Sequence, residues 1–135
     1  MQSPCANDQA RSEKLQRQIH TTIAAAGGGI PFAQFMQHAL YTPDLGYYCS
    51  TSEKFGASGD FITAPEVSPL FAQCLAKQCQ QILADIPDGE LLEIGPGSGR
   101  MAAELLIALE KSNALPQHYY LLEISAELQH RQYET

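Results

Sequence analysis

The chain has no tryptophan and few basic residues: eight Lys and Arg stand against fifteen Asp and Glu, a formal net charge of −7 over 135 residues. That balance excludes a broad cationic face of the kind that grips a nucleic-acid backbone. It would suit a cationic substrate, although solubility explains it equally well. No apolar run approaches the ~18 residues that a membrane-spanning helix requires. The four cysteines, Cys5, Cys49, Cys74 and Cys79, form no C-x-x-C pair. The four histidines, His20, His38, His118 and His130, show no metal-ligand spacing with them. No metal site is expected, and the thiols fit a reducing compartment. The first residues carry neither a secretory apolar core nor an arginine-rich transit pattern, so a bacterial cytoplasmic location is expected ahead of the mitochondrial matrix. Internal repeats and low-complexity tracts are absent, and the length suffices for one domain with a real core.

What is present is concentrated in Leu91-Leu92-Glu93-Ile94-Gly95-Pro96-Gly97-Ser98-Gly99-Arg100. An apolar run ends in a carboxylate, three glycines follow at alternating positions, and Met101 to Leu109 then has helical spacing. Strand, glycine turn and helix in that order are how an open α/β sheet receives a nucleotide-like cofactor at a strand's carboxyl edge. A dinucleotide fingerprint G-x-G-x-x-G starting at Gly95 would need its third glycine at Arg100. The observed spacing is E-x-G-x-G-x-G, which resembles the first motif of S-adenosylmethionine-dependent methyltransferases with a Rossmann-like core. Gly95 and Gly97 let the backbone turn sharply and approach a ligand with no Cβ between. Glu93 is suited to the ammonium of a methionine-like group, whereas a pyrophosphate seeks a bare helix N-terminus. The simpler alternative is a turn that only packs a helix on its strand.

Gln117 to Glu123 reads as a second buried strand, and Glu123 lies 28 residues after Gly95 with one helix between. The expected unit is therefore a right-handed βαβ. A carboxylate ending the second strand can take both hydroxyls of a ribose. Capping the next helix is its structural alternative, and Ser125 could do that instead.

Upstream, Leu15, Ile19, Ile23 and Ala26 give residues 8–26 a helical stripe, which Gly27-Gly28-Gly29 ends. Pro31 opens a second helix whose apolar face is Phe32, Phe35, Met36, Ala39 and Leu40, expected to be core. Residues 41–67 are rich in turn chemistry, with a short strand possible at Tyr47-Tyr48-Cys49. Five aromatics in that stretch point to an ordered loop folded over something. Ser68 caps a third helix with Pro69 at its first position, and Phe71, Leu75, Cys79 and Ile82 are its expected buried side. Two strands make a poor sheet with an unprotected edge, so the chain is expected to be a fragment, and edge-to-edge pairing into a homodimer stays open.

Phe55-Gly56-Ala57-Ser58-Gly59-Asp60-Phe61-Ile62-Thr63-Ala64-Pro65-Glu66 resembles the G-D-F-x-T-x-P-E segment of MidA-type methyltransferases, a bacterial and mitochondrial family. Leu91 to Gly99 and Leu122 to Gln132 resemble that family's next two blocks, in order and spacing. Where the family often has arginine this chain has Ser98, and where it often has a Thr-Leu pair it has Arg100-Met101. Family members also continue well past residue 135, into the rest of the sheet and a substrate-facing insertion.

The resemblance implies an α/β fold: N-terminal helices and an ordered loop over residues 1–67, leading into the start of a Rossmann-like class I methyltransferase sheet over 68–135. The cofactor implied is S-adenosyl-L-methionine, with Gly59, Asp60, Thr63, Glu93, Gly95, Gly97, Gly99, Glu123 and Ile124 as its expected contacts. The reaction implied is methylation of an arginine on a partner protein, in mitochondrial members a respiratory complex I subunit. Asp60 and Glu66 are candidates to hold the cofactor or guide the guanidinium. An Asx turn and a charge near a helix start are their alternatives. No residue stands out as catalytic base, and the chain alone is expected to be inactive. Two other classes stay open: a non-enzymatic assembly factor with a retained cofactor pocket, and an NAD-dependent oxidoreductase.

Overall fold

The computed structural model describes residues 6–49, 59, 60 and 62–135. By its contacts the chain forms two compact units, Met1–Thr51 and Ser52–Thr135. Residues 63–67 pack within the second.

In the first unit, α1 (Ala6–Ala25) is a largely polar helix that buries Ile19, with Leu15 and Ile23 half-buried beside it. Gly27 and Gly28 take φ of 81° and 102° and end the helix, the Gly28 N–H returning to the Ile23 carbonyl at 2.9 Å. α2 (Phe32–Tyr41) begins just after Pro31. Its apolar face is not core as expected: Phe32 is 73% and Phe35 39% exposed, and their rings stack on each other at 6.1 Å. The helix α2 meets in this unit is α1, whose mostly polar surface has little to cover two phenyl rings. Tyr47–Cys49 form a 3₁₀ turn rather than a strand. Tyr48 stacks on Tyr41 at 5.8 Å and takes Tyr47 edge-on at 4.9 Å, so ring packing holds this segment. Residues 50–58 and 61 of the expected loop lie outside the described residues.

Within the stretch expected to be loop, the second unit has a short helix, α3 (Ala64–Val67), with Pro65 in its first turn. α4 (Leu70–Ala84) follows, and Ser68 Oγ accepts the Leu70 N–H at 3.2 Å. β1 (Leu91–Ile94), α5 (Arg100–Lys111), β2 (Tyr119–Leu122) and α6 (Ala126–Glu134) complete it. β1 and β2 pair in parallel from Leu91 opposite Tyr119 to Ile94 opposite Leu122, the expected βαβ order.

The core is the seam between α4 and α5: Ala72 and Ala76 against Leu105 and Leu109, flanked by Leu75, Cys79, Leu83, Leu91 and Tyr119. Cys79 sits there as expected, but Phe71 and Ile82 do not, at 48% and 58% exposed. Two leucines on α5 need small residues opposite, so the alanines form the close approach and the larger side chains turn to the flanks. Alternation along the strands sends Leu91, Glu93 and Tyr119 toward this core and leaves Leu92, Ile94, Tyr120 and Leu122 exposed on the other face. No helix among the described residues is long and apolar enough to cross a membrane.

Candidate functional site

Gly95, Gly97 and Gly99 all have left-handed backbone, with φ of 69°, 58° and 84°. Any other L-residue would cost about 1–2 kcal/mol there, which is why the chain carries glycine at alternate positions. A Cβ on Gly95 would meet nothing within 4 Å, so that side of the turn is open to a ligand. Gly99 differs, because a Cβ there would press the Gln132 side chain at 3.2 Å. The turn is fastened from behind by α6. Gln132 Nε2 donates to the Gly97 carbonyl at 2.8 Å and Thr135 Oγ1 to the Ser98 carbonyl at 2.8 Å. On another side Ser98 Oγ donates to Glu66 Oε1, which docks α3 against the turn.

In front of the turn is a cavity of about 250 Å³, lined by Thr63, Pro65 and Glu66 from one side and by Glu93 to Ser98 with Met101 from the other. The structure thus brings together Thr63, Glu93, Gly95 and Gly97 of the expected contacts with Glu66, the other candidate of the preceding segment. Gly99, Glu123, Ile124, Gly59 and Asp60 are not among the lining residues. Gly59 and Asp60 form a bend ahead of α3, with Asp60 exposed. Glu123 follows β2 on the same sheet edge, where the Gly95 N–H donates to the Leu122 carbonyl at 3.0 Å and carries the pairing one step past β1. Its Oε1 accepts the Ser125 N–H at 2.8 Å. Ser125 itself caps α6, its Oγ accepting the Leu128 N–H at 3.3 Å. Ile124 beside them is 65% exposed.

Glu93 is half-buried, and its Oε2 accepts the Tyr119 hydroxyl at 2.8 Å. Burial pushes its carboxyl above the ordinary carboxylate range, and the Tyr119 hydrogen bond opposes that rise. Burial, reinforced by the Glu93 carboxylate, also pushes the Tyr119 phenol up. Tyr119, Gln132, Thr135 and the Ser98–Glu66 link were not anticipated as parts of the site. Each reaches it from 26 or more residues away in the chain, so no local spacing announces it. No group of three or more His, Cys, Asp and Glu among the described residues is placed to hold a metal ion.

Among the described residues, the lining has two carboxylates and neither Lys nor Arg. A turn of this shape, at the carboxyl end of a parallel strand and beside an acidic cavity, defines a partial Rossmann-like domain whose donor set favours a cationic group over a phosphate.

Known proteins agree with that class. Residues 74–135 match a family described as "Putative S-adenosyl-L-methionine-dependent methyltransferase". The "Protein arginine methyltransferase NDUFAF7 homolog, mitochondrial" of Drosophila melanogaster is 34% identical over 82% of this chain and 26% of its own length. Its Danio rerio relative, "Protein arginine methyltransferase NDUFAF7, mitochondrial", is 36% identical over 70% of this chain and 24% of its own length. A Burkholderia thailandensis protein crystallised with S-adenosyl-homocysteine superposes with a TM-score of 0.91 at 41% identity, covering all of this chain and 36% of that one. The chain belongs to the MidA-type family of S-adenosylmethionine-dependent methyltransferases. It spans about a quarter of the length of the curated relatives it matches.

Proposed function

We propose that this chain holds S-adenosyl-L-methionine for a methyltransferase that modifies an arginine side chain on a partner protein. The observation that carries the reading is the half-buried Glu93 carboxylate beside an open left-handed glycine turn, in a cavity that the described residues line without a basic side chain. At about 250 Å³ the cavity is smaller than the ~300–1,000 Å³ of typical ligand pockets, so it takes one part of such a cofactor. In this reading the methionine part sits against Gly95 and Gly97 with its ammonium on Glu93. The ribose hydroxyls reach Glu123, whose Oε1 keeps a second lone pair beyond the Ser125 bond. Exposed Ile124 offers apolar contact to the base, and Gly59, Asp60 and Thr63 close the site from the preceding segment.

When bound, the cofactor supplies a methyl group activated on a sulfonium. This chain's part is to orient it and keep a negative charge near it. Glu66, engaged by Ser98, helps to shape the cavity wall. The arginine-presenting surface belongs to the same reading, supported by the names of the relatives.

Calorimetric titration of the complete protein with S-adenosylhomocysteine and with NAD tests the proposal. Binding of the first alone, weakened by about 1–3 kcal/mol in Glu123→Ala for a lost charged acceptor, is expected. Binding of NAD alone, or of neither, sinks it. Transfer of labelled methyl to arginine in candidate partners would then locate the acceptor.

A further inference from the structure

Glu93 bears a negative charge in a half-buried place, and no basic side chain among the described residues lines its cavity. A group that compensates it is the Tyr119 hydroxyl, 2.8 Å from Oε2. Tyr119 stands opposite Leu91, two residues before Glu93, so strand alternation puts both side chains on the core-facing side of the sheet. Its ring packs against the Ala72, Ala76, Leu105 and Leu109 core. Phenylalanine would fill that space equally well. The hydroxyl is therefore not demanded by packing, and its work lies at the carboxylate. We propose that Tyr119 is a positioning residue for the cofactor: it anchors Glu93 Oε2 and so presents Oε1 to the ligand's ammonium. This role rests on the cofactor reading above.

Among the described residues, the titratable groups around the pair are few. The Cys79 thiol of α4 faces Tyr119, Glu66 of α3 lines the same cavity, and Tyr119 itself comes from β2. None of these supplies a positive charge. Without the Tyr119 bond, burial alone would act on Glu93 and its proton would be lost at higher pH. The ammonium site would then be weakened most on the acid side.

The test measures the S-adenosylhomocysteine Kd of the complete protein at pH 6 and pH 8 for wild type, Tyr119→Phe, Glu93→Gln and the double variant. Tyr119→Phe is expected to bind about tenfold more weakly, the scale of a hydrogen bond to a charged group, with a larger ratio at pH 6. In the Glu93→Gln background the same change should do little. Carboxyl ¹³C titration without ligand, with the Glu93 signal assigned by its loss in Glu93→Gln, should show a higher midpoint in Tyr119→Phe. Wild-type affinity at both pH values with an unmoved midpoint overturns the role of Tyr119. So does an equal loss in the two backgrounds. If wild type binds no S-adenosylhomocysteine, the cofactor reading itself falls and takes this role with it.

Discussion

At the end of β1, Glu93 is held by a side chain from the neighbouring strand, 26 residues away and itself seated on the core. At the end of β2, Glu123 is held by the backbone N–H of Ser125, two residues away, at the mouth of α6. Both are glutamates near a strand's carboxyl end, Glu93 inside β1 and Glu123 one residue past β2, but one carboxylate depends on tertiary packing and the other on a local turn. Glu93 should therefore respond to changes in the core and to pH, and Glu123 to changes at the helix entry.

Core truncation should break this contrast from the Glu93 side. Leu105 is 1% exposed and lies in the cluster on which Tyr119 packs. Leu105→Ala should cost about 2–5 kcal/mol of stability in denaturant melts of the complete protein. The Glu93–Tyr119 pair should loosen with it while the Glu123 turn persists. Amide protection at Ser125 retained while β1 loses it would support that separation, and uniform loss of protection would refute it. Ser125→Ala acts from the other end. It removes the cap of α6 and should cost about 1 kcal/mol, with the fraying confined to α6. An equal loss of protection in β1 would show the two ends to be one unit.

The smallest effect should be the most specific. Because burial raises the Glu93 carboxyl above its unfolded value of 4.5, the folded protein holds that proton more tightly. Wild type then loses stability as pH rises through the window between the unfolded and the folded pKa, and the penalty is complete above it. Glu93→Gln has no such proton to lose. Its melting temperature relative to wild type should climb as pH rises from about 4.5, the unfolded value, and level off above the window. A difference independent of pH would mean that burial does not bear on this carboxylate.

Much of the βαβ unit was legible in sequence because its signals are local. Apolar runs ending in Glu93 and Glu123 bracket the glycines, and Gly95 and Gly97 make the sharp turn expected of them, each with left-handed backbone. Ser125 as helix cap was legible for the same reason. The misses share a different cause. Phe71 and Ile82 read as a buried stripe, yet the helix turned Ala72 and Ala76 inward to meet α5. Phe32 and Phe35 read as core and stayed exposed because the helix beside them offers mostly polar surface. Tyr47–Cys49 had strand composition but took a 3₁₀ turn among stacked tyrosines.

By itself the sequence determined the strand–helix–strand order around the glycines, the sharp turn at Gly95 and Gly97, and the carboxylates at or just past the strand ends, since each depends on residues only a few positions apart. Tertiary structure alone decided that Tyr119 would hold Glu93, that Glu66 would reach Ser98, and that Gln132 and Thr135 would brace the turn. Those partners stand 26 to 37 residues apart, and only the pairing of two strands and the docking of helices on them can bring such groups within hydrogen-bonding reach.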